Sequence, residues 1–438
     1  MLNQRVKKVL NLSLPAALNS FLDMLQTLVD LIMVGRISPS AIASVGVSMQ
    51  LIWGVYVFVS IFHIGTNALV SRFVGAKKIE DAGKVIFSIS IVAFIFSLPV
   101  AVLGYLFSEK LFYLIGTSKD VAKLGGEYLG IVALTIPFLF LGGIYYSALS
   151  ASGDTKTPLK IGIAGNIFNT IFDYILIFGH FGFPELGVKG AAIATALTNI
   201  FEVVVYLIIL FSRKFNVYFN YEFSFDFVRR ALKVGIPTGF ERVITYSSYI
   251  VLVVLITEYG TYTLAGYQVG LRIEGLAFMP GIGFTIAAMA LVGQNLGAKN
   301  YEEAEKSAIT TMKVAAVFMG TLGILMIFVP DYLCMIFTSD KKTIEEAVIY
   351  LRIMGISQFP LAVVFVLSGS LRGAGATKST LFINTSSLWL VRIVPAFILS
   401  AIFHNVLLIY LIITIETYFR AFVLWFVFKK GKWKKIEV

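Results

Sequence analysis

Two short runs set the framework of this sequence: Val74-Gly75-Ala76-Lys77 and Leu296-Gly297-Ala298-Lys299, which stand 222 positions apart. The same offset relates Gly153-Asp154-Thr155-Lys156 to Gly375-Ala376-Thr377-Lys378. Because one offset that recurs without gaps is the signature of an internal repeat, the sequence predicts two homologous halves.

The composition indicates which solvent surrounds these halves. Of the 438 residues, 58% are hydrophobic and 14% are charged, whereas a soluble domain carries about a quarter charged residues. Twelve apolar segments are each long enough to cross a bilayer, which takes roughly 20 helical residues. They cover residues 10–35, 47–71, 84–107, 121–148, 158–180, 188–212, 231–257, 264–292, 307–330, 344–370, 380–402 and 405–428. We therefore predict an all-α integral membrane protein with twelve transmembrane helices.

The arrangement of the halves follows from the number of spans. Six spans is an even number, so both halves enter and leave on the same side, as two parallel six-helix bundles related by a pseudo-twofold axis along the membrane normal. We predict an N-terminal lobe over 1–212, a linker over 213–230 and a C-terminal lobe over 231–438. Most of the 36 basic residues lie in the segments on the side of the two termini, which places both termini in the cytoplasm. The net charge of +11 therefore indicates orientation in a cell membrane and not a nucleic-acid partner.

Sequence patterns typical of enzymes and metal sites are missing. No HExxH, GxSxG or Walker A pattern occurs. The single cysteine, Cys334, excludes a disulfide framework, and the three histidines are too scattered to form a metal cage. We predict a protein that is not an enzyme, holds no cofactor, and draws on a gradient of H⁺ or Na⁺.

Acidic residues inside the spans of the first half are functional candidates, because charge is costly in lipid. Asp23, Gln26 and Asp30 share one face of the first span. Asp173 follows Asn169 by four residues on the fifth span. A carboxyl group with an amide one turn away offers oxygen ligands to a small cation and a group that can take up a proton. The alternative is a set of buried acids that bond to neighbouring backbone.

Acids in the second half stand close to bases. Glu241 is followed directly by an arginine, and Glu274 comes two residues after one. These acids either neutralise the neighbouring arginines or take part in substrate binding or coupling. Glu416 and Arg420 are four residues apart, which predicts a pair on the surface of one helix.

Three runs resemble the signatures of the multidrug and toxic compound extrusion (MATE) transporters, and the resemblance covers essentially the whole chain. They are Val29-Asp30-Leu31-Ile32-Met33-Val34-Gly35, Leu276-Ala277-Phe278-Met279-Pro280 and Val292-Gly293-Gln294-Asn295-Leu296-Gly297-Ala298. The sequence is more similar to the DinF-like branch, whose site residues fall on Asp30, Asn169, Asp173 and Thr195. The resemblance implies that these four form a proton or Na⁺ site in the N-terminal lobe. The tenth span lacks the aspartate of the NorM-like branch, so a C-terminal ion site of that type is not expected.

The resemblance implies antiport by alternating access. A proton or Na⁺ would enter while small amphiphilic compounds, expected to be cationic, are exported by a functional monomer. Gln26, Asp23, Glu241 and Glu274 are further candidates for substrate binding or coupling. The alternative is a flippase of the same superfamily that moves lipids or lipid-linked oligosaccharides.

Overall fold

The computed structural model describes residues 2–438, which form helices joined by turns and short extended segments, with no strand in that range. The first seven helices are α1 (Leu2–Gly35), α2 (Pro39–Gly75), α3 (Ile79–Ile115), α4 (Lys119–Ala133), α5 (Ile136–Ala151), α6 (Lys156–Phe178) and α7 (Val188–Phe211). The next eight are α8 (Phe225–Thr257), α9 (Thr261–Gly297), α10 (Tyr301–Phe328), α11 (Pro330–Met335), α12 (Lys341–Gly373), α13 (Thr377–Ser386), α14 (Val394–Phe403) and α15 (Val406–Lys429). A π-helical stretch, Ser387–Ile393, joins α13 to α14.

The predicted number of spans is confirmed. Within residues 2–438, eleven helical segments are long and apolar enough to cross a membrane, counting α13, the π-helical stretch and α14 as one. The bent pair of α4 and α5 supplies a twelfth. The predicted fold class, an all-α membrane protein with twelve spans in two six-helix halves, is therefore correct. Most helices extend beyond the predicted limits, because a helix continues into polar residues that an apolar run leaves out.

The predicted fourth span, 121–148, is broken in the structure. It divides into α4 and α5, which meet at an angle of 51°. Pro137 occupies the first turn of α5. Proline has no backbone N–H and its ring clashes with the preceding turn of a continuous helix, which explains the break just before it.

The internal repeat extends to the boundaries of the helices. Helices α2 and α9 begin at Pro39 and Thr261, which are 222 positions apart, and α3 and α10 begin at Ile79 and Tyr301, again 222 apart. The turns before α3 and α10 hold the equivalent residues Lys77 and Lys299 in left-handed backbone, with φ of 60° and 57°. The two halves therefore share a local backbone conformation as well as sequence.

Contacts group the chain into two compact units. Unit 1 comprises Met1–Leu18 and Ile236–Val438, and unit 2 comprises Asn19–Gly235. The divisions fall inside α1 and α8, whereas the predicted lobes meet at the linker 213–230. Helix α8 already begins at Phe225, inside that linker. The predicted lobe limits therefore stay a prediction beside this contact-based division.

The start of α12 shows how the helix ends outside the spans are stabilised. Asp340 precedes α12 and accepts hydrogen bonds from the Thr343 hydroxyl at 2.6 Å and from its backbone N–H at 2.9 Å. These bonds stabilise the ionised carboxyl and lower the pKa of Asp340. The carboxylate thereby satisfies one of the four free N–H groups that begin every helix.

Candidate functional site

Helices α1 and α6 bring the three predicted polar residues of the first half together inside unit 2. Asp30 comes from α1, and Asn169 and Asp173 come from successive turns of α6. All three are buried, and Asp173 has no exposed surface. Because residues four apart share a helix face, the amide and the carboxyl of α6 point toward α1 together.

Gln26 connects the two helices through hydrogen bonds. Its side-chain nitrogen donates to Asp30 Oδ1 at 2.6 Å and to Asn169 Oδ1. Its side-chain oxygen accepts a bond from the Thr170 hydroxyl at 3.1 Å. Gln26 lies one turn before Asp30 on α1, so one amide fixes the position of the carboxyl against α6. The sequence pointed to Gln26, but nothing in it singled out Thr170.

The carboxyl groups of Asp30 and Asp173 are close enough to interact electrostatically between α1 and α6. Both oxygens of Asp173 are buried, and neither has a hydrogen-bond partner among the described residues. Two carboxyl groups close together in a buried site repel one another when both are ionised. A proton or a cation held between them would relieve this repulsion.

Thr195, the fourth predicted residue, lies on α7 and does not bond directly to the two aspartates. Its hydroxyl donates to the backbone oxygen of Ala191 at 3.0 Å and lies 3.5 Å from the Tyr128 hydroxyl. Tyr128 is buried on α4 and interacts electrostatically with Asp30 and Asp173. The structure thus adds Tyr128 to the site. No sequence spacing could indicate it, since it comes from a different helix.

Asp23 lies seven residues before Asp30 and belongs to separate surroundings. It accepts a hydrogen bond from Asn19 of the same helix at 3.2 Å. Its charge interacts with Glu202 of α7, and the Glu202 carboxyl lies against Gly165 of α6. Asp23 and Asp30 were predicted to share one face of α1, but in unit 2 they have different neighbours. Asp23 lies near Glu202, whereas Asp30 lies near Asp173.

In unit 1, Glu241 does not pair with the arginine that follows it. Its carboxyl accepts bonds from Arg372 at 2.6 Å, from Asn384 at 2.5 Å and from the Thr380 hydroxyl at 3.0 Å. These partners come from α12 and α13. Glu241 is thus a fully bonded, ion-paired residue that joins three helices.

The pair of Glu416 and Arg420 forms as predicted but is buried, whereas the sequence suggested a helix surface. The distance from Arg420 Nε to Glu416 Oε1 is 3.1 Å. Arg392 Nη2 completes the cluster and lies 2.5 Å from Glu416 Oε2. The Ser387 hydroxyl donates a hydrogen bond to Glu416 Oε1 at 2.6 Å. Both Arg392 and Ser387 lie in the π-helical stretch. Conformations of this kind occur often at functional positions.

The sequence allowed Glu274 to pair with a neighbouring arginine, but the structure does not show this pair. The arginine two residues before it is exposed, and the Glu274 carboxyl instead accepts a hydrogen bond from the Tyr350 hydroxyl of α12. Residues 2–438 contain no group of three or more His, Cys, Asp or Glu side chains that could hold a metal ion. A Na⁺ ion at Asp30 and Asp173 would therefore need further oxygens from amide or hydroxyl groups.

The twelve spans and the buried acidic positions define a class of polytopic membrane transporter. A sequence model described as MatE matches residues 15–175 and 237–398. The two matches together cover more than half of the chain, so this chain belongs to the MatE family of membrane transporters.

Curated relatives and solved structures agree with this assignment. The chain is 28% identical over 440 residues to the probable multidrug resistance protein NorM of Thermotoga maritima, covering 99% of this chain and 94% of that protein. It is 25% identical over 393 residues to the probable multidrug resistance protein YoeA of Bacillus subtilis, covering 88% and 85%. An outward-facing multidrug resistance MATE transporter matches with a TM-score of 0.91 at 20% identity, covering 99% and 97%. These relatives do not distinguish the branches, so the DinF-like placement stays a prediction.

Proposed function

We propose that the chain is a cation-coupled antiporter that exports amphiphilic, cationic organic compounds. The observation that carries the proposal is the pair of buried carboxyl groups of Asp30 and Asp173, which interact electrostatically and of which Asp173 has no hydrogen-bond partner among the described residues. The names of the Thermotoga maritima and Bacillus subtilis relatives, both probable multidrug resistance proteins, support the substrate class. Membership of the DinF-like branch is part of the same proposal.

Coupling follows from the charge of the pair. With one proton or cation the pair carries a single negative charge, and without it the two carboxylates repel one another across α1 and α6. Uptake of the ion therefore favours the conformation in which the helices are close, and its release favours another. An ion that binds two conformations with different affinity shifts their populations, and coupling of about 1–3 kcal/mol suffices for exchange.

The coupling ion is H⁺ or Na⁺. The proximity of two carboxyl groups supports a shared proton, since a proton needs no further ligands. Asn169 Oδ1 and the carboxyl oxygens of Asp30 and Asp173 also form a set of hard oxygen ligands, which supports Na⁺. The protein would work as a monomer in the cell membrane, with both termini in the cytoplasm and no cofactor.

Reconstitution into vesicles tests the proposal. With separately imposed pH and Na⁺ gradients, efflux of a cationic dye should depend on one of the two gradients. Asp30→Asn and Asp173→Asn should each lower gradient-driven efflux by about 5–150-fold, the usual range of coupling. Folded protein should remain, since asparagine keeps the shape of the side chain.

Asp120→Asn is the matched control, because Asp120 is exposed at the start of α4. This variant should transport as the unaltered protein does. Gradient-driven efflux that survives in both Asp30→Asn and Asp173→Asn would contradict the mechanism.

A further inference from the structure

Glu274 stands apart from the other two carboxyl groups of unit 1 that are buried in spans and bonded to several helices. Glu241 forms an ion pair with Arg372, and Glu416 pairs with Arg392 and Arg420. Glu274 is 6% exposed and forms no ion pair within residues 2–438. An ionised carboxyl is expensive to bury without a partner, so such a group is maintained only where it serves a purpose.

The surroundings of Glu274 are hydroxyl and amide groups from α12. Tyr350 donates its hydroxyl to the carboxyl. The Gln358 side chain also lies beside Glu274, and its nitrogen donates to the Met354 backbone oxygen at 3.4 Å. The Tyr350 ring lies against Gly270, one turn before Glu274 on α9. A side chain at Gly270 would displace this ring, so the glycine allows the tyrosine to reach the acid.

One charged group and several phenols face the site from the helices packed around it. Arg392 is the charged side chain whose field reaches Glu274, and its guanidinium is bonded to Glu416. The phenols come from α8, α9, α12 and α15: Tyr249, Tyr267, Tyr350 and Tyr410. With two arginines to one glutamate, the cluster of Arg392, Arg420 and Glu416 keeps a net positive charge. Glu274 is therefore an acid without an ion pair that lies near a positively charged cluster.

We propose that Glu274 is a second proton-binding site, located in unit 1 and separate from the Asp30–Asp173 pair. A protonated carboxyl gains one donor and needs an acceptor. Gln358 Oε1 is buried and has no hydrogen-bond donor among the described residues. The Tyr350 hydroxyl already donates to the ionised acid, and Gln358 Oε1 is the acceptor available to the protonated acid. The site therefore provides hydrogen bonds for both states.

A proton suits this site better than a metal ion. Hard cations bind about six or more oxygen ligands. Here the carboxyl of Glu274 and one amide oxygen are the available acceptors, while the Tyr350 hydroxyl acts as a donor. The inference rests on the proposed ion-driven transport for its purpose, since it makes the second half responsive to pH. Proton binding at Glu274 is nevertheless a separate property that can be measured without transport.

Infrared difference spectroscopy on the purified protein tests the proposal. The Asp30→Asn/Asp173→Asn double variant removes the carboxyl groups of the other site and serves as the background. A pH titration of this background should still show the C=O band of a buried protonated carboxyl. Adding Glu274→Gln should remove the amplitude of one carboxyl group. Adding Glu345→Gln, at an exposed position on α12, should leave the band unchanged.

Tyr350→Phe provides a second test in case the glutamine variant folds poorly. The carboxyl remains but loses the hydrogen bond from the tyrosine, so the band should persist at a shifted frequency. A band that is unaffected by both Glu274→Gln and Tyr350→Phe would overturn the proposal. A band that responds to added Na⁺ at constant pH would overturn it in favour of a cation site. Loss of transport coupling at Asp30 and Asp173 alone would not alter these results.

Discussion

At the scale of single residues, the two units treat buried charge in different ways. Unit 2 places the carboxyl groups of Asp30 and Asp173 near one another without an arginine or lysine partner, so their negative charges would repel if both were ionised. Unit 1 instead neutralises Glu241 and Glu416 with arginines. We therefore expect the charge of the first arrangement to change during function, whereas the second should keep its charge because arginine does not release its proton.

The structural character of the Glu241 pair can be tested by stability. Arg372→Met should leave the Glu241 carboxylate buried without a cation and lower the free energy of unfolding by about 3–5 kcal/mol. Thermal unfolding in detergent measures this loss. Glu241→Gln combined with Arg372→Met should recover most of it, because the amide oxygen can still accept from Thr380 and carries no charge.

A double-mutant cycle of Glu241→Gln and Arg372→Met can also contradict the interpretation that the two side chains neutralise each other. Stability that falls further in the double variant than in Arg372→Met would mean that Glu241 does more than neutralise the arginine. Independent, additive losses would mean that the two side chains do not interact.

The sequence predicted part of these sites. The four-residue spacing predicted that Gln26 and Asp30 share a face of α1, and the two side chains are joined by a hydrogen bond. The role of Asn169 and Asp173 that the resemblance implied stays a prediction. The sequence did not predict Tyr350 as the partner of Glu274 or Arg372 as the partner of Glu241. Spacing along one helix determines which residues share a face, but the pairing of faces depends on how separate helices pack.

At the scale of helices, close approach depends on small residues where backbones meet. Gly190 of α7 lies directly against the backbone of Leu176 in α6. These two helices carry Thr195 and the residues Asn169 and Asp173. The contact therefore sets the distance between the threonine and the acidic pair.

We expect Gly190→Ala to separate α6 from α7, because the added methyl group would overlap the Leu176 carbonyl. Such overpacking costs about 1–3 kcal/mol of stability. Gly54→Ala in α2 is the matched control, since a side chain there meets nothing within 4 Å. The control should be neutral or stabilising by up to about 1 kcal/mol. Equal unfolding temperatures for the two variants would show that the contact is not tight.

The spans were predictable because apolar length alone sets them, but two helix irregularities were not. The break between α4 and α5 follows from Pro137, yet other prolines, such as Pro99 and Pro280, lie inside continuous helices. The π-helical stretch left no recognisable pattern in the sequence. A proline alone therefore does not determine whether a span breaks, and the packing around it contributes to the outcome.

At the scale of the whole molecule, the distribution of basic residues makes a definite prediction about orientation. With both termini in the cytoplasm, the loop between α6 and α7 faces outward. Glu185→Cys in this loop should react with a membrane-impermeant maleimide on intact cells. Lys432→Cys, near the C-terminus, should react only after the cells are permeabilised. The opposite pattern would reverse the topology.

The native thiol should not interfere with this experiment. Cys334 is buried in α11, and burial raises the pKa of its thiol to about 11. The reactive thiolate is therefore scarce at neutral pH. The chain without an added cysteine is the control and should show little labelling.

The π-helical stretch has a consequence for reading one half of the molecule from the other. At the 222-residue offset, Ser387–Ile393 corresponds to residues 165–171 of α6, an uninterrupted α-helix. A π turn bonds each residue to the fifth one along instead of the fourth, so side chains after it point in a different direction. The two duplicated helices thus stand at equivalent positions in the chain, but their equivalent side chains no longer face the same way around the helix axis. Beyond residue 393, equivalence in sequence between the halves is not equivalence in space, and a role found in one half should not be transferred to the other there.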